Sequence, residues 1–252
     1  MKTVKGLHEK MGTFENANTS FHQAARCKRY TNEVLAFSMV KEEELLRATE
    51  EIQNLTYRQG EYKIFKVFEP KERLIMALPF YDRVVQHMIC NAIQPVFENG
   101  FYYHSYACRS GKGMHAASDT LYQWMYETEV KQGLRMYAFK GDISKYFASI
   151  PHDKLKDENR RYIGDKKALM LMDDIIDHNG ILPDGVGIPV GNLTSQLFAN
   201  VYGNKLDKFC KHVLHIPYFV RYMDDFIILS DDLEQLKEWV KRIEEFLENE
   251  ML

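Results

Sequence analysis

The carboxylates best suited to chemistry are Asp224 and Asp225, adjacent in Tyr222-Met223-Asp224-Asp225 and flanked by the apolar runs Tyr218-Phe219-Val220 and Phe226-Ile227-Ile228-Leu229. Such flanks predict two β-strands with the acidic pair at the tight turn between them. Burying neighbouring carboxylates is costly, because each loses hydration and the two repel one another. A divalent cation removes both costs. Mg²⁺ prefers hard oxygen ligands and keeps coordination positions open for phosphate oxygens, so the pair suits nucleotidyl transfer. Transfer on two metals, held roughly 3.5–4 Å apart, needs a further carboxylate. Asp142 supplies it, at the end of the apolar strand Tyr137-Ala138-Phe139-Lys140-Gly141.

The surroundings of Asp142 fit the same chemistry. The backbone turning from Ile143 to Tyr146 offers amide N–H groups for phosphate oxygens, and Phe147 is bulky enough to press on a sugar and exclude a 2′-hydroxyl. Other acidic pairs do not share this context. Asp173-Asp174 lies in the helical run from Leu169 to Ile176, where carboxylates face water at no cost. Asp231-Asp232 opens a final helix, with Asp231 capping exposed amides and complementing the dipole. The loop Arg109-Ser110-Gly111-Lys112-Gly113 lacks Walker spacing and has no Lys followed by Ser or Thr, so it reads as a turn. Its basic residues suit salt-sensitive, sequence-independent contacts with a nucleic-acid backbone.

Several elements must hold these groups. Residues 1–40, where Arg26, Lys28, Arg29 and Tyr30 interleave, read as an exposed arm or an RNA-contacting one. Helical spacing runs from Lys41 to Arg58, ending near Gly60. A β-hairpin follows, with arms at Tyr62 to Phe68 and Leu74 to Leu78 and a charged tip at Glu69 to Arg73. Helices are predicted from Tyr81 to Glu98, Met114 to Gln132, Lys166 to His178 and Leu193 to Val213, and a buried strand from Leu134 to Ile143. The pattern is α+β, with helices on one face of a small antiparallel sheet.

Composition excludes some classes. With 45% hydrophobic and 27% charged residues the chain is an ordinary globular one. No stretch approaches the roughly 20 apolar residues of a membrane span, and Met1 to Gly12 has no apolar signal region, so a cytoplasmic location with no membrane partner is expected. Cys27, Cys90, Cys108 and Cys210 form no C-x-x-C pair and read as reduced thiols. The histidines complete no zinc pattern. A net charge of -3 conceals a gradient, because the segment after Ser230 is strongly acidic and the remainder slightly positive. That balance permits a nucleic-acid groove.

Tyr222-Met223-Asp224-Asp225 and Gly141-Asp142-Ile143-Ser144-Lys145-Tyr146-Phe147, in this order and separation, resemble the catalytic motifs of reverse transcriptases of bacterial and phage retroelements. The resemblance runs from Tyr62 to Ser230 and implies the fingers and palm of a polymerase right hand, with an antiparallel palm sheet backed by helices. It places an N-terminal arm at 1–40, fingers at 41–133 and palm at 134–252, with a fingers-like insertion near 160–190. It further implies two Mg²⁺ ions, with Mn²⁺ as the alternative, on Asp142, Asp224 and Asp225 with Ile143 completing the set. For deoxynucleotide triphosphate it implies Lys71, Arg73, Lys145, Tyr146, Phe147 as the steric gate, Val190 and Gly191. For template RNA and primer it implies Arg83, Arg109, Lys112, Ser195, Gln196, Tyr222 and Met223. Glu69-Pro70-Lys71-Glu72-Arg73-Leu74-Ile75, Pro79-Phe80-Tyr81-Asp82-Arg83-Val84-Val85 and Ser105-Tyr106-Ala107-Cys108-Arg109 carry the fingers part of the likeness.

Ile188-Pro189-Val190-Gly191-Asn192-Leu193-Thr194-Ser195-Gln196 narrows the branch. Most members have Gln before this glycine and Pro after this serine. Val190 and Gln196 resemble instead the diversity-generating retroelement enzymes, which copy a template-repeat RNA with frequent errors at adenines and use an accessory variability protein. An apolar Val190 removes a hydrogen-bonding constraint on the nascent pair; packed beside a helix start capped by Asn192, it would have a structural role only. Group II intron, retron and phage-defence enzymes share the chemistry, and an inactive RNA-binding scaffold is the alternative from another class. A complete member continues into a helical thumb, whereas this sequence stops at Leu252 inside a helix. The expectation is poor processivity or no measurable synthesis by this chain alone.

Overall fold

The computed structural model of the protein describes residues 3–68 and 72–251, so the hairpin tip with Lys71 lies outside the described residues. Contacts divide the chain into two compact units, one of Met1–Asn99 with His152–Phe198 and the other of Gly100–Pro151 with Ala199–Leu252. The first begins with α1 (Leu7–Met11), α2 (Phe14–Ala24), α3 (Asn32–Met39), α4 (Lys41–Gln53), β1 (Lys63–Phe68), β2 (Glu72–Ala77) and α5 (Phe80–Glu98). The second contributes α6 (Met114–Met125), β3 (Tyr137–Asp142) and α7 (Tyr146–Ser149). Then come α8 (His152–Tyr162) and α9 (Lys166–Asp177) of the first, α10 (Leu193–Lys208), and β4 (Tyr218–Tyr222), β5 (Asp225–Ser230) and α11 (Leu233–Phe246) of the second.

Residues 3–40 fold into helices that bury one face, while Arg26, Lys28, Arg29 and Tyr30 are exposed. Ala17, Ser20, Phe21 and Ala24 fall at helical spacing and form the buried face of α2, where Phe21 stacks on Phe37 with ring centroids 5.6 Å apart. Phe37 meets Phe80 of α5 at 5.1 Å. α4 ends earlier than Arg58. Leu55 takes a left-handed φ of 59°, its N–H donates to Ile52 O at 3.1 Å, and the Thr56 N–H reaches back to Glu51 O at 2.9 Å. This is the paired-bond helix stop that glycine usually makes, built here on leucine. α6 is α-helical to Met125 and continues as a π-helix over Tyr126–Lys131, so the helical segment as a whole ends where the spacing predicts.

Asp165 ties the start of α1 to the start of α9. Its carboxylate accepts from Leu7 N and His8 N at 2.8 and 3.0 Å, and from Lys167 N and Ala168 N at 3.2 and 3.3 Å. Burial alone would push its pKa up, but the four donors outweigh burial and hold it below the ordinary value. A carboxyl depressed on folding contributes stability that is complete above its unfolded pKa of about 3.9 and lost as pH falls through the folded value. Asp165→Asn is therefore expected to lower the urea midpoint at pH 7, with the gap from wild type closing below about pH 4. A gap that stays constant into that acid range would contradict this.

In the second unit the strands form one antiparallel sheet in the order β3-β5-β4. Phe219, Phe226 and Ile228 are buried within it. The outer edge of β4 is not bare: Arg221 N donates to His104 O at 3.0 Å and Tyr106 N to Arg221 O at 2.9 Å. α11 packs against β3 and β5, and α6 against β4. The residue that caps α11 is Asp232, which accepts from Glu234 N and Gln235 N, and not Asp231. No described helix is long and apolar enough to cross a membrane, and all four cysteines are free thiols.

Candidate metal centre

Strand register builds the centre. Asp142 and Asp225 face each other at the ends of β3 and β5, and Tyr222 pairs with Asp225 on the other side. This leaves Met223-Asp224 as a two-residue loop. Two-residue hairpins match the sheet twist when a loop residue has positive φ, and Met223 does, at 59°. For a non-glycine residue that conformation costs about 1–3 kcal/mol and needs support from its surroundings. One support is the Ile143 N–H, which donates to Asp224 O at 3.3 Å.

The outcome is a cluster in which one oxygen from each of Asp142, Asp224 and Asp225 lies within 4.8 Å of the others. Asp142 is exposed and the other two are half-buried. A purely carboxylate donor set, open to solvent on one side, fits a hard cation such as Mg²⁺ or Mn²⁺ that keeps further positions for water or phosphate. Lys140 lies beside it, with its Nζ 3.2 Å from Asp225 Oδ1. Gly141 admits Asp142 to its place. A Cβ there would lie 2.3 Å from Cζ of Phe226, the residue directly across the ladder.

Behind the loop is a group that sequence reading missed. Arg221 is fully buried on β4. Its Nε and Nη2 donate to the two carboxylate oxygens of Asp207 at 2.6 and 2.7 Å. Nη2 also donates to Ser105 Oγ at 3.1 Å, and Nη1 to Asn200 Oδ1 at 3.4 Å and Met223 O at 2.8 Å. Burial works against the charged guanidinium, but Asp207 outweighs it and holds Arg221 above its ordinary pKa. Burial also lifts the Asp207 carboxyl above its usual range, against the opposing pull of the Arg221 guanidinium. Gly203 of α10 makes the space, since a Cβ there would come within 2.6 Å of Arg221 Nη1. The one signal in the sequence was an arginine inside an otherwise apolar strand.

Other expected site residues of this unit vary in what they can offer. Lys145 is exposed in a left-handed conformation, φ 52°, and Phe147 is half-buried with its ring edge-on to Tyr146. Tyr146 is buried and its hydroxyl donates to Ala199 O at 2.7 Å, which leaves only its backbone for a substrate. Tyr222 is exposed, whereas the Met223 side chain is buried. Arg109 Nη1 donates to Tyr102 O and Ser105 O, and Lys112 lies over the Tyr103 ring at 3.4 Å while donating to Tyr103 O. Both basic side chains thus brace their own loop.

In the first unit, Arg73 is exposed on β2 opposite Val67. The Val190-Gly191 segment lies along β2, with Met76 N donating to Val190 O at 3.0 Å. Gly191, φ 124°, has no room for a side chain, because a Cβ would sit 2.9 Å from Met76 O. Gly191 and Arg83 line one cavity of about 530 Å³ with Lys28, Lys63 and Phe65. Arg83 is ion-paired to Glu33 and donates through Nε to Leu78 O at 2.9 Å. Ser195 is buried and Gln196 exposed at the start of α10. The first amide of that helix, Leu193 N, is capped by Gln86 Oε1 at 3.1 Å, while the Asn192 amide donates to Tyr62 Oη at 2.7 Å. Gln86 therefore satisfies an amide at the start of α10 from a distant helix, and the Asn192 carbonyl accepts the Gln196 N–H at 3.4 Å.

Comparison with known proteins adds the following. The sequence profile described as "Reverse transcriptase (RNA-dependent DNA polymerase)" matches residues 66–252. Protein YkfC of Escherichia coli strain K12 is 28% identical over 134 residues, 51% of this chain and 34% of that protein. An uncharacterized 91 kDa protein in the cob intron of Schizosaccharomyces pombe is 29% identical over 137 residues, 52% of this chain and 16% of that protein. Among solved structures, apo telomerase from Candida tropicalis superposes with a TM-score of 0.55 at 14% identity, covering 77% of this chain and 47% of that one. A partial Cas6-RT-Cas1–Cas2 complex gives 0.52 at 19% identity, covering 97% of this chain and 43% of that one. The chain thus spans less than half the length of each of these relatives.

Proposed function

Since the chain belongs to the reverse transcriptase (RNA-dependent DNA polymerase) family, we propose that it catalyses RNA-directed DNA synthesis at the centre formed by Asp142, Asp224 and Asp225. The observation that carries this reading is the convergence of the three carboxylates within 4.8 Å from β3 and the β4–β5 hairpin. In the reaction a primer 3′-oxygen forms a bond to the α-phosphorus of a deoxynucleotide triphosphate as pyrophosphate leaves. Mg²⁺ ions held by the three aspartates and Ile143 would supply charge neutralisation and a more reactive 3′-hydroxyl. The protein's own share is positioning: amides of the turn from Ile143 to Tyr146 facing phosphate oxygens, apart from the Ile143 N–H itself, which is donated to Asp224 O, with Phe147 against the sugar and Lys71, Arg73 and Lys145 toward the triphosphate. Arg83, Arg109, Lys112, Ser195, Gln196, Tyr222 and Met223 are assigned to template and primer. Residues 41–133 are read as fingers and 134–252 as palm, with the segment near 160–190 as a fingers-like insertion.

For the branch, we favour an error-prone enzyme of the diversity-generating kind, working with an accessory variability protein, because Val190 stands where most members have Gln. A second reading, an intron-encoded enzyme, is favoured by the relative in the cob intron. One assay tests both levels. The purified chain, with Mg²⁺, a primer and a defined RNA template, is expected to incorporate deoxynucleotides in preference to ribonucleotides, with errors concentrated opposite adenine. Val190→Gln is expected to reduce those errors. RNA binding without any incorporation, with added accessory protein and in a version extended by a helical thumb as well, would argue for the RNA-binding scaffold; equal error spectra for wild type and variant would remove the branch assignment alone.

A further inference from the structure

We propose that Arg221 is a positioning residue for the metal centre, its buried guanidinium fixing the Met223-Asp224 loop and thereby the Asp224 carboxylate; this rests on the metal-centre reading above. The loop is held at both of its carbonyls. Ile143 N donates to Asp224 O, and Arg221 Nη1 donates to Met223 O at 2.8 Å. The second contact comes from a group with no freedom to move. All five N–H donors of Arg221 are engaged: two by Asp207, one by Ser105, one by Asn200 and one by the loop itself.

Stability does not account for this arrangement. Burying an arginine with an aspartate gains little over a well-packed apolar pair, because desolvation offsets the attraction. What the ion pair supplies and an apolar pair cannot is a directed donor at a chosen carbonyl. That donor meets a loop whose first residue sits at φ 59°, a conformation that persists only when neighbours over-determine it. Groups behind metal ligands, once altered, commonly weaken metal binding by about 10–100-fold. Arg221 acts one step further back, through the backbone that carries the ligand.

The inference is tested by titrating Mn²⁺ into the purified chain and following the free-ion electron paramagnetic resonance signal, with thermal unfolding recorded on the same samples. Asp224→Asn is the control. Arg221→Lys keeps the charge for Asp207 but loses the forked donors, and is expected to weaken Mn²⁺ binding about tenfold or more. The double substitution Arg221→Met with Asp207→Leu removes the ion pair without leaving a lone charge, and should fold while showing the same weakening. Gly203→Ala, which preserves every polar group and crowds Arg221 Nη1 and Cζ together with Tyr146 Oη, should weaken binding by a smaller factor. Wild-type affinity in any of the first two variants that folds, together with wild-type affinity in Gly203→Ala, would overturn the positioning role and leave the centre intact. If wild type shows no Mn²⁺ binding that Asp224→Asn abolishes, the metal centre itself is refuted and the inference with it.

Discussion

Asp224→Asn is expected to lower nucleotide incorporation by about 10³-fold or more, while the chain unfolds at the same temperature as wild type or a higher one. The loss is that of an electrostatic group aimed at the reacting phosphate, for which removal of a single stabilising contact already costs roughly 10²–10³-fold. The retained stability follows from charge. Asp142, Asp224 and Asp225 crowd within 4.8 Å, so neutralising one relieves repulsion between the others. Asp173→Asn serves as the comparison, because Asp173 is paired with Arg160 on a helix and has no part in the cluster. Primer extension and thermal unfolding on the two variants decide the matter. A fall in stability that parallels the fall in rate would mean that Asp224 holds the fold and not the chemistry.

Gly141→Ala is expected to be the most damaging single methyl group in the second unit. The added Cβ would meet Phe226 at 2.3, 2.6 and 2.8 Å from three ring carbons. The ring cannot step aside, being buried between Phe139 and Phe219 with centroids 6.1 Å away on either side. Overpacking of this kind costs about 1–3 kcal/mol, and the backbone shift that relieves it moves Asp142, the next residue. Stability and incorporation should therefore fall together, in contrast to Asp224→Asn. Phe226→Leu added to Gly141→Ala should recover part of the urea midpoint, giving the non-additivity expected of touching residues. A wild-type midpoint for Gly141→Ala would show that the sheet relaxes without strain.

The centre was legible in the sequence because its residues obey local rules. Alternation in β4 and β5 announces the hairpin, the acidic pair falls at its turn, and Asp142 closes an apolar strand. The support of that centre was not legible. Asp207, Asn200 and Ser105 meet Arg221 from different parts of the chain, and no spacing rule links them. Local chemistry also misled where an unusual residue stands in for a common one. Leu55 ends α4 where a glycine would have marked the stop, and Gln86 caps α10 from a distant helix. α8 escaped notice because His152 to Tyr162 is almost wholly charged or polar, its buried face consisting of His152, Leu155, Glu158, Asn159 and Tyr162. Three of its buried side chains, His152, Glu158 and Asn159, are polar or charged. α9, with aliphatic residues at regular intervals, was read nearly to its ends.

The closed edge of β4 gives the sheet a direction of growth. A strand left unpaired at the rim of a sheet is a template for another chain, and here one rim is already occupied by the His104–Tyr106 segment. Among the described residues β3 pairs with β5 alone, so its outer rim, which ends at Asp142, is open to a further strand. Lys140, exposed on that strand, is the type of residue that discourages indiscriminate pairing.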